Sequence, residues 1–262
     1  MIRKVGIVTY QNGKNYGGFL QAYSLQKILE TNKDVKVDII NYKSLRFIIK
    51  EVITLLNSKN PIKIILNFLS FFSYFIYRKK LNLKKFTIIK KKAIKEKYAH
   101  TIYGSDEIWN FNNNLVGFDS FYFGDGCNQK KIAFSVSFGT VKENQKQLPK
   151  IKKYLKKFSK ISVRDTHSSK ILNNLDIQNQ LTLDPVFLYD FKDELSKINF
   201  KKQNKKYILI YGLISDKKII ENIKLYKKDK NYEIISIGYY NRWVDKNIVY
   251  SIDPFLFLKI FK

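Results

Sequence analysis

Apolar and polar positions alternate in a regular order over the first forty residues of the chain. An apolar run over residues 4–10 predicts a strand, a helical period follows over 19–30, and a second apolar run covers 35–42. This is the order of a βαβ unit, whose two strands are parallel and whose crossover is right-handed. We therefore predict an α/β fold with a parallel sheet.

The same alternation continues beyond residue 97 and restarts after a polar, lysine-rich stretch at 191–206. We predict a first Rossmann-like lobe over 1–190, a linker over 191–206 and the start of a second Rossmann-like lobe over 207–262, which we expect to be incomplete. The predicted strands are 101–103, 131–137, 160–163, 181–183, 207–213, 233–239 and 247–252, and the predicted helices are 143–157, 166–175, 217–227 and a last one from 254.

Residues 44–97 interrupt the alternation, and we interpret them as a helical insertion. Helical spacing occurs over 45–56 and again over 62–77, with a breaker at Pro61 between the two. The second helix is very apolar, but it is shorter than the roughly 20 residues that cross a bilayer. It also carries a polar stripe, made of Lys63, Asn67, Ser70 and Tyr74.

Two placements of this apolar helix are open. We expect it to pack on the first lobe. The alternative is an amphipathic helix that lies on a membrane surface and is helped by Arg78, Lys79 and Lys80.

Composition narrows the classes of function. The formal net charge of +27 comes with abundant lysine, isoleucine and asparagine, which is typical of AT-rich coding, and no nucleic-acid-binding module accompanies it. The single cysteine, Cys127, excludes a disulfide framework and a thiolate cluster, and neither His100 nor His167 has the neighbours of a triad or a zinc site. We expect a cytoplasmic protein with no metal and no cofactor.

Three predicted strand ends carry candidate ligand-binding residues. The loop 11–18 contains Asn15, Tyr16, Gly17 and Gly18 and opens a helix, where free N–H groups favour an anion. The alternative is a glycine turn that serves geometry alone.

The second candidate is the segment 103–110. Asp106 and Glu107 are suited to acid or base chemistry, and Asn110 to orienting a sugar hydroxyl. Alternatively, Ser105 and Asp106 cap a helix.

The third candidate is Arg164, one of five arginines in a chain where lysine is far commoner. A planar guanidinium at a strand end is suited to clamping a carboxylate or phosphate. The alternative is a structural pair with Asp165, which would then also cap the following helix.

Taken in order, these segments resemble the polysaccharide pyruvyl transferase family. The resemblance rests on five segments: Val5-Gly6-Ile7-Val8 with Asn15-Tyr16-Gly17-Gly18 and Leu20-Gln21-Ala22-Tyr23; Gly104-Ser105-Asp106 with Trp109-Asn110; Phe134 to Gly139; Ser162-Val163-Arg164-Asp165; and Leu183-Asp184-Pro185-Val186.

The resemblance implies a two-lobed fold like the GT-B glycosyltransferases and the transfer of the enolpyruvyl group of phosphoenolpyruvate to a sugar as a pyruvate ketal. It implies that Arg164, with Gly17 and Gly18, holds the donor. The cleft residues that meet the donor or acceptor would be Asn15, Tyr16, Ser105, Asp106 and Asn110. The acceptor would be a sugar or lipid-linked saccharide for cell-surface polysaccharide, which places the protein in the cytoplasm or at the inner face of the membrane.

Departures from the family pattern lead to further expectations. The family carries a Phe-His-Gly segment in its second lobe, and this sequence does not contain it. We therefore expect a truncated form with little turnover, and no catalytic residue is assigned. Two alternatives stay open: a GT-B glycosyltransferase that uses a nucleotide sugar, and a non-catalytic remnant or membrane-surface module built on residues 44–97.

Overall fold

The computed structural model describes residues 2–11, 15–57, 61–84, 87–88, 94, 97–199, 205–249 and 252–261. These residues form two compact units. The first comprises Met1–Thr54 and Arg78–Asp190, and the second comprises Leu55–Tyr77 and Phe191–Lys262.

Strands and helices alternate along most of the chain. The strands are β1 (Arg3–Val8), β2 (Val35–Ile39), β3 (Tyr42–Lys43), β4 (Thr87–Ile88), β5 (His100–Tyr103), β6 (Lys131–Val136), β7 (Phe158–Val163), β8 (Gln180–Leu181), β9 (Tyr207–Ile210), β10 (Glu233–Ile237) and β11 (Lys246–Ile248). The helices are α1 (Tyr16–Glu30), α2 (Leu45–Leu56), α3 (Pro61–Arg78), α4 (Leu148–Leu155), α5 (Thr166–Asn174), α6 (Lys192–Ser196), α7 (Lys217–Lys230) and α8 (Pro254–Ile260).

The first unit is built on a six-stranded sheet in the order β2-β1-β5-β6-β7-β8. Every neighbouring pair in it is parallel, including the β1–α1–β2 crossover that the sequence predicts. The α/β class with a parallel sheet is therefore confirmed. Because all strands run the same way, their carboxyl ends lie along one edge of the sheet.

Several predicted elements differ in extent from the observed ones, and two of the differences have a clear cause. The apolar run 35–42 is divided, because Tyr42 pairs with Thr87 in a separate two-stranded sheet. The predicted helix 143–157 is shorter, and α4 begins at Leu148 with a proline in its first turn. Proline lacks the N–H that a helix interior requires, so it is tolerated at a helix start.

Aromatic side chains fill the core beneath the carboxyl end of β5. Trp109 is fully buried, and its ring centroid lies 5.2 Å from that of Phe138 and 6.0 Å from that of Phe123. The indole Nε1 donates to the carbonyl oxygen of Tyr122 at 3.0 Å. This packing anchors the segment that follows β5, which carries several candidate site residues.

Helix α3 exposes most of its large apolar side chains. The exposed ones are Ile65, Phe68, Leu69, Phe72, Phe75 and Ile76. On the side predicted to be polar, Tyr74 is buried and Asn67 and Ser70 are partly covered; the Lys63 side chain lies outside what the structure describes. Within the described chain, no helix is both long enough and apolar enough to cross a membrane.

The second unit contains a three-stranded parallel sheet in the order β11-β10-β9. Helix α6 falls within the predicted linker 191–206, of which residues 200–204 lie outside the described residues. The Lys259 ammonium on α8 donates to the carbonyl oxygens of Leu195 and Ile198 at 2.8 and 3.0 Å. These bonds attach the start of the predicted linker to α8.

Candidate functional site

A cavity of about 820 Å³ lies in the first unit, at the carboxyl edge of the six-stranded sheet. The chain proceeds from β1 to β2 on one side of β1 and returns to β5 on the other side, so the connections diverge there. Open α/β sheets bind ligands at such a divergence. The lining residues are Tyr10, Asn15, Gly17, Gly18, Tyr42, Phe47, Asp106, Glu107, Asn113, Leu115, Val116, Tyr122, Arg164, Asp165, Leu183, Asp184, Val186 and Phe187.

Arg164, immediately after β7, joins two carboxylates in this cavity. One terminal nitrogen donates to Asp184 Oδ2 at 2.7 Å, and the other donates to Asp106 Oδ1 at 3.3 Å. Burial by itself lowers the pKa of Arg164, but the bond to Asp184 and the nearby acidic charges outweigh it and raise that pKa. A guanidinium has five N–H donors, so these bonds leave others for a ligand.

Asp106 has a left-handed backbone conformation, with φ of 85°. Its Oδ1 accepts from the backbone N–H of Glu107 at 2.8 Å. Burial raises the pKa of Asp106, although the Glu107 N–H and the charge of Arg164 act in the opposite direction. Its carboxyl group therefore keeps a proton to higher pH than an exposed aspartate does.

A chain of buried and partly buried hydrogen bonds connects the loops around the cavity. Gln21 Nε2 on α1 donates to Thr9 Oγ1 at 2.9 Å, and Thr9 Oγ1 donates to the Ser105 carbonyl oxygen at 2.9 Å. The Ser105 hydroxyl then donates to Asp184 Oδ2 at 2.9 Å, the same oxygen that accepts from Arg164. Helix α1 and the ends of β1, β5, β7 and β8 thus share one network.

Glu107 is positioned by Asn110 and by a glycine. The Asn110 side-chain amide donates to Glu107 Oε2 at 2.9 Å. A Cβ at Gly139 would lie 2.5 Å from Asn110 Nδ2 and 2.5 Å from Glu107 Oε2, and the φ of Gly139 is +54°. A side chain at position 139 would therefore displace the Glu107–Asn110 pair and would also need a left-handed backbone conformation.

The start of α1 contributes backbone groups to the cavity. The Asn15 side chain caps the helix by accepting from the Gly17 N–H at 2.9 Å. A Cβ at Gly18 would lie 3.4 Å from Asp106 Oδ2, so the glycine leaves that carboxyl oxygen close to the helix. Residues 12–14 of the predicted loop lie outside the described residues.

Three tyrosines form an aromatic wall on the β1 and β2 side of the cavity. The Tyr10 and Tyr122 rings meet edge to face at 4.9 Å, and the Tyr42 hydroxyl donates to Asp119 Oδ2 at 2.7 Å. Burial raises the pKa of Tyr10 far above its ordinary range, and the charges of Asp106, Asp119 and Glu107 add to that shift. The hydroxyl of Tyr10 is therefore neutral at physiological pH.

The structure brings together several residues that the sequence predicts for a site, but it gives them different positions. Those that line the cavity are Asn15, Gly17, Gly18, Asp106 and Arg164. The others are buried beside it without lining it: Tyr16, Ser105 and Asn110. In two of these cases the contacts indicate support for a neighbour, because Ser105 bonds to Asp184 and Asn110 bonds to Glu107.

Helix capping and a pair between Arg164 and Asp165 were the structural alternatives to a ligand-binding role, and they have different outcomes. Of the structural alternative for Arg164, one half is seen: Asp165 caps α5 by accepting from the Ser168 N–H at 2.7 Å. The other half is not, because Arg164 pairs with Asp184 and Asp106 instead of with Asp165. The prediction that Ser105 and Asp106 cap a helix is wrong, because turns follow them.

Sequence reasoning assigned no role to Asp184 or Tyr10. Asp184 lies in the segment Leu183 to Val186, which carries part of the family resemblance and was the available signal for it. Tyr10 is the last residue of the predicted strand 4–10, and ligands commonly bind beyond such a strand end.

Acidic side chains outnumber basic ones in the lining of this cavity. Four carboxyl groups line it, from Asp106, Glu107, Asp165 and Asp184, while Arg164 is the one lysine or arginine among its described lining residues. Carboxylates accept hydrogen bonds from hydroxyl groups, and the aromatic wall offers apolar contact. This combination is suited to a polyhydroxylated ligand.

The raised pKa of Asp106 predicts a specific dependence of stability on pH. A carboxyl whose pKa is higher in the folded state stabilises the fold below its unfolded pKa, and this contribution is lost as pH rises through the folded pKa. We therefore expect wild type to lose stability relative to Asp106→Asn as pH rises from about 3.5 to 7, starting near the ordinary aspartate pKa of about 3.9.

Asp176 provides a control of opposite sign. Its hydrogen bond from Lys152 lowers its pKa, so its contribution is present above the unfolded pKa and is lost as pH falls. Urea unfolding of wild type, Asp106→Asn and Asp176→Asn across this pH range measures both trends. Parallel curves for wild type and Asp106→Asn would contradict the prediction.

The fold is that of an α/β protein with a cavity at the carboxyl edge of a parallel sheet. The family model for polysaccharide pyruvyl transferase matches residues 15–262. The chain therefore belongs to the polysaccharide pyruvyl transferase family, and the resemblance seen in the sequence is confirmed.

Searches beyond the family model gave distant likenesses. No curated protein matches the chain. Among solved structures, UDP-GlcNAc 2-epimerase from Neisseria meningitidis bound to UDP-GlcNAc is similar at 14% identity and a TM-score of 0.45, over 98% of this chain and 74% of the epimerase. UDP-N-acetylglucosamine 2-epimerase from Rickettsia bellii has 10% identity and a TM-score of 0.39, over 98% and 67% of the two chains. These low scores carry no argument about ligand or reaction.

Proposed function

We propose that this chain takes part in transferring the enolpyruvyl group of phosphoenolpyruvate to a saccharide, where it forms a pyruvate ketal on cell-surface polysaccharide. Membership of the pyruvyl transferase family supports the reaction type. The observation that carries the assignment to a site is the cavity in which Arg164 lies between Asp184 and Asp106.

The reaction has a simple balance of bonds and protons. Two saccharide hydroxyl oxygens form bonds to C2 of phosphoenolpyruvate, and the bond from C2 to the phosphate oxygen breaks. The methylene carbon gains one proton and becomes a methyl group. The two hydroxyl protons end on that methyl group and on the released phosphate, so no oxidant or further reactant is needed.

The acid-rich side of the cavity supports binding of the saccharide. Asp106 and Glu107 offer carboxyl oxygens to hydroxyl groups, and Tyr10 and Tyr42 offer ring surface. A carboxylate whose pKa is raised is a stronger base than an ordinary one, so Asp106 is our candidate for accepting a hydroxyl proton. Ser105 and Asn110 are positioning residues in this scheme.

Arg164 and the start of α1 are our candidates for holding the donor. The N–H groups of Arg164 that bind neither Asp184 nor Asp106 are suited to the carboxylate of phosphoenolpyruvate. Backbone N–H groups at a helix start favour an anion. Gly17 and Gly18 keep side chains away from that helix start. Asp106 and Asp184 oppose the charge of the donor, so they would limit how deeply it enters.

The acceptor decides where the protein works. A free saccharide would leave it in the cytoplasm, whereas a saccharide carried on a lipid would bring it to the inner face of the membrane.

Isothermal titration calorimetry tests the donor directly. We expect saturable binding of phosphoenolpyruvate and much weaker binding of pyruvate or inorganic phosphate alone, because each supplies only one of the two anionic groups. UDP-glucose and GDP-mannose serve as competitors of another class. Binding of a nucleotide sugar without any binding of phosphoenolpyruvate would replace this proposal with a nucleotide-sugar glycosyltransferase.

A further inference from the structure

Helix α3 carries an apolar stripe that faces solvent. The stripe consists of positions 65, 68, 69, 72, 75 and 76, which lie on one face of the helix over about three turns. The exposed fractions are 59% for Ile65, 40% for Phe68, 52% for Leu69, 63% for Phe72, 54% for Phe75 and 59% for Ile76. A contiguous apolar stripe of this kind marks an interaction surface. We call these six residues the α3 stripe.

The opposite side of the same helix is the covered one. Tyr74 is 7% exposed, and the Asn67 side-chain amide donates to the carbonyl oxygen of Leu55 at 3.4 Å. The side of α3 that contains Asn67 and Tyr74 is therefore covered, whereas its most apolar side is exposed to solvent. Helix α2, considered by itself, buries Phe47 and Leu55 but also exposes five apolar side chains, those of Leu45, Ile49, Val52, Ile53 and Leu56.

The charge of this region indicates what covers the stripe. Residues 45–97 contain 14 lysines and arginines but only two acidic residues, Glu51 and Glu96. Lys79 and Lys80, which directly follow α3, are both exposed. An anionic lipid surface matches an apolar stripe flanked by lysines, because acyl chains accept the rings while headgroups attract the ammonium groups.

A second copy of the chain fits less well. Two copies meeting through this region would bring two strongly positive segments together, within proteins of formal net charge +27 each. Among the described helices, α3 included, none is both long and apolar enough to cross a membrane. A helix that lies along the lipid surface satisfies both observations.

We propose that the α3 stripe docks the protein on an anionic membrane surface, with its rings inserted at the headgroup boundary and Lys79 and Lys80 against the headgroups. This docking is separate from the chemistry of the cavity and does not depend on the proposed reaction. It would hold the protein where lipid-carried substrates are found.

Vesicle co-sedimentation of the full chain tests the proposal. We expect binding to vesicles of phosphatidylglycerol and phosphatidylcholine in equal parts, and little binding to phosphatidylcholine alone. The triple variant Phe68→Asn, Phe72→Asn and Phe75→Asn should bind about tenfold more weakly or worse, because three inserted rings are lost. Lys79→Gln with Lys80→Gln should weaken binding about thirtyfold at low salt.

Helix α7 supplies a matched control for the triple variant. Ile219, Leu225 and Tyr226 are 49%, 67% and 52% exposed, and α7 has no buried residue. The variant Ile219→Asn, Leu225→Asn and Tyr226→Asn should retain binding. Circular dichroism and urea unfolding verify that each variant is folded before its binding is compared.

Three results would overturn the proposal. The first is no binding of wild type to the anionic vesicles at low salt. The second is an equal loss of binding in the α3 and α7 triple variants. The third is a wild-type dimer in light scattering that the α3 triple variant converts to a monomer while vesicle binding is unchanged, because the stripe would then join two copies.

Discussion

Arg164→Ala is expected to abolish measurable binding of phosphoenolpyruvate and to lower the free energy of unfolding by about 2–4 kcal/mol. The guanidinium pairs with Asp184 at 2.7 Å and with Asp106 at 3.3 Å, and both carboxylates are largely covered. Removing the cation leaves two neighbouring acids without their shared partner. Calorimetry measures the loss of binding, and urea unfolding measures the loss of stability.

Arg164→Lys separates the two effects. Lysine keeps the positive charge but lacks the planar fork that reaches two carboxylates and a ligand together. We expect it to recover part of the stability and little of the binding. Arg242, which is exposed in the second unit, provides the matched control, and Arg242→Ala should change stability by less than about 0.5 kcal/mol. Full phosphoenolpyruvate binding by a folded Arg164→Ala variant would remove Arg164 from the donor site.

Gly104→Ala is expected to destabilise the first unit by at least about 3 kcal/mol. Gly104 follows β5 with φ of +122°, and its N–H donates to the Val8 carbonyl oxygen at 2.9 Å. A Cβ there would overlap the backbone carbonyl oxygen of Phe134, which cannot rotate away. Both the backbone conformation and the space therefore require glycine.

Gly18→Ala is the comparison within the same cavity. Its Cβ would lie 3.3 Å from the Tyr10 carbonyl oxygen and 3.4 Å from Asp106 Oδ2, which small shifts accommodate. We expect a change in stability of less than about 1 kcal/mol for this variant. Thermal and urea unfolding of both variants measure the contrast. Similar stabilities would show that the turn after β5 tolerates a side chain and adjusts around it.

The candidate site was only partly accessible from the sequence. Strand ends and turn residues are local signals, so the pattern identified Asn15, Asp106 and Arg164 as members of separate loops. Their assembly depends on strand order: Asp184 and Asp106 lie 20 and 58 residues from Arg164 in sequence but bond to it. No local pattern distinguishes a side chain that lines the cavity from one that only hydrogen-bonds to a lining residue, as Ser105 does to Asp184.

Taken alone, the sequence determined the βαβ start, the parallel α/β class and the family, because each follows from spacing or from a contiguous motif. Tertiary structure decided the partners of Arg164, since Asp184 and Asp106 follow two other strand ends, those of β8 and β5. It also decided which side of α3 faces solvent. Helical period shows that a helix has two faces, but only the neighbouring elements determine which face is covered, and here the more apolar face is left exposed.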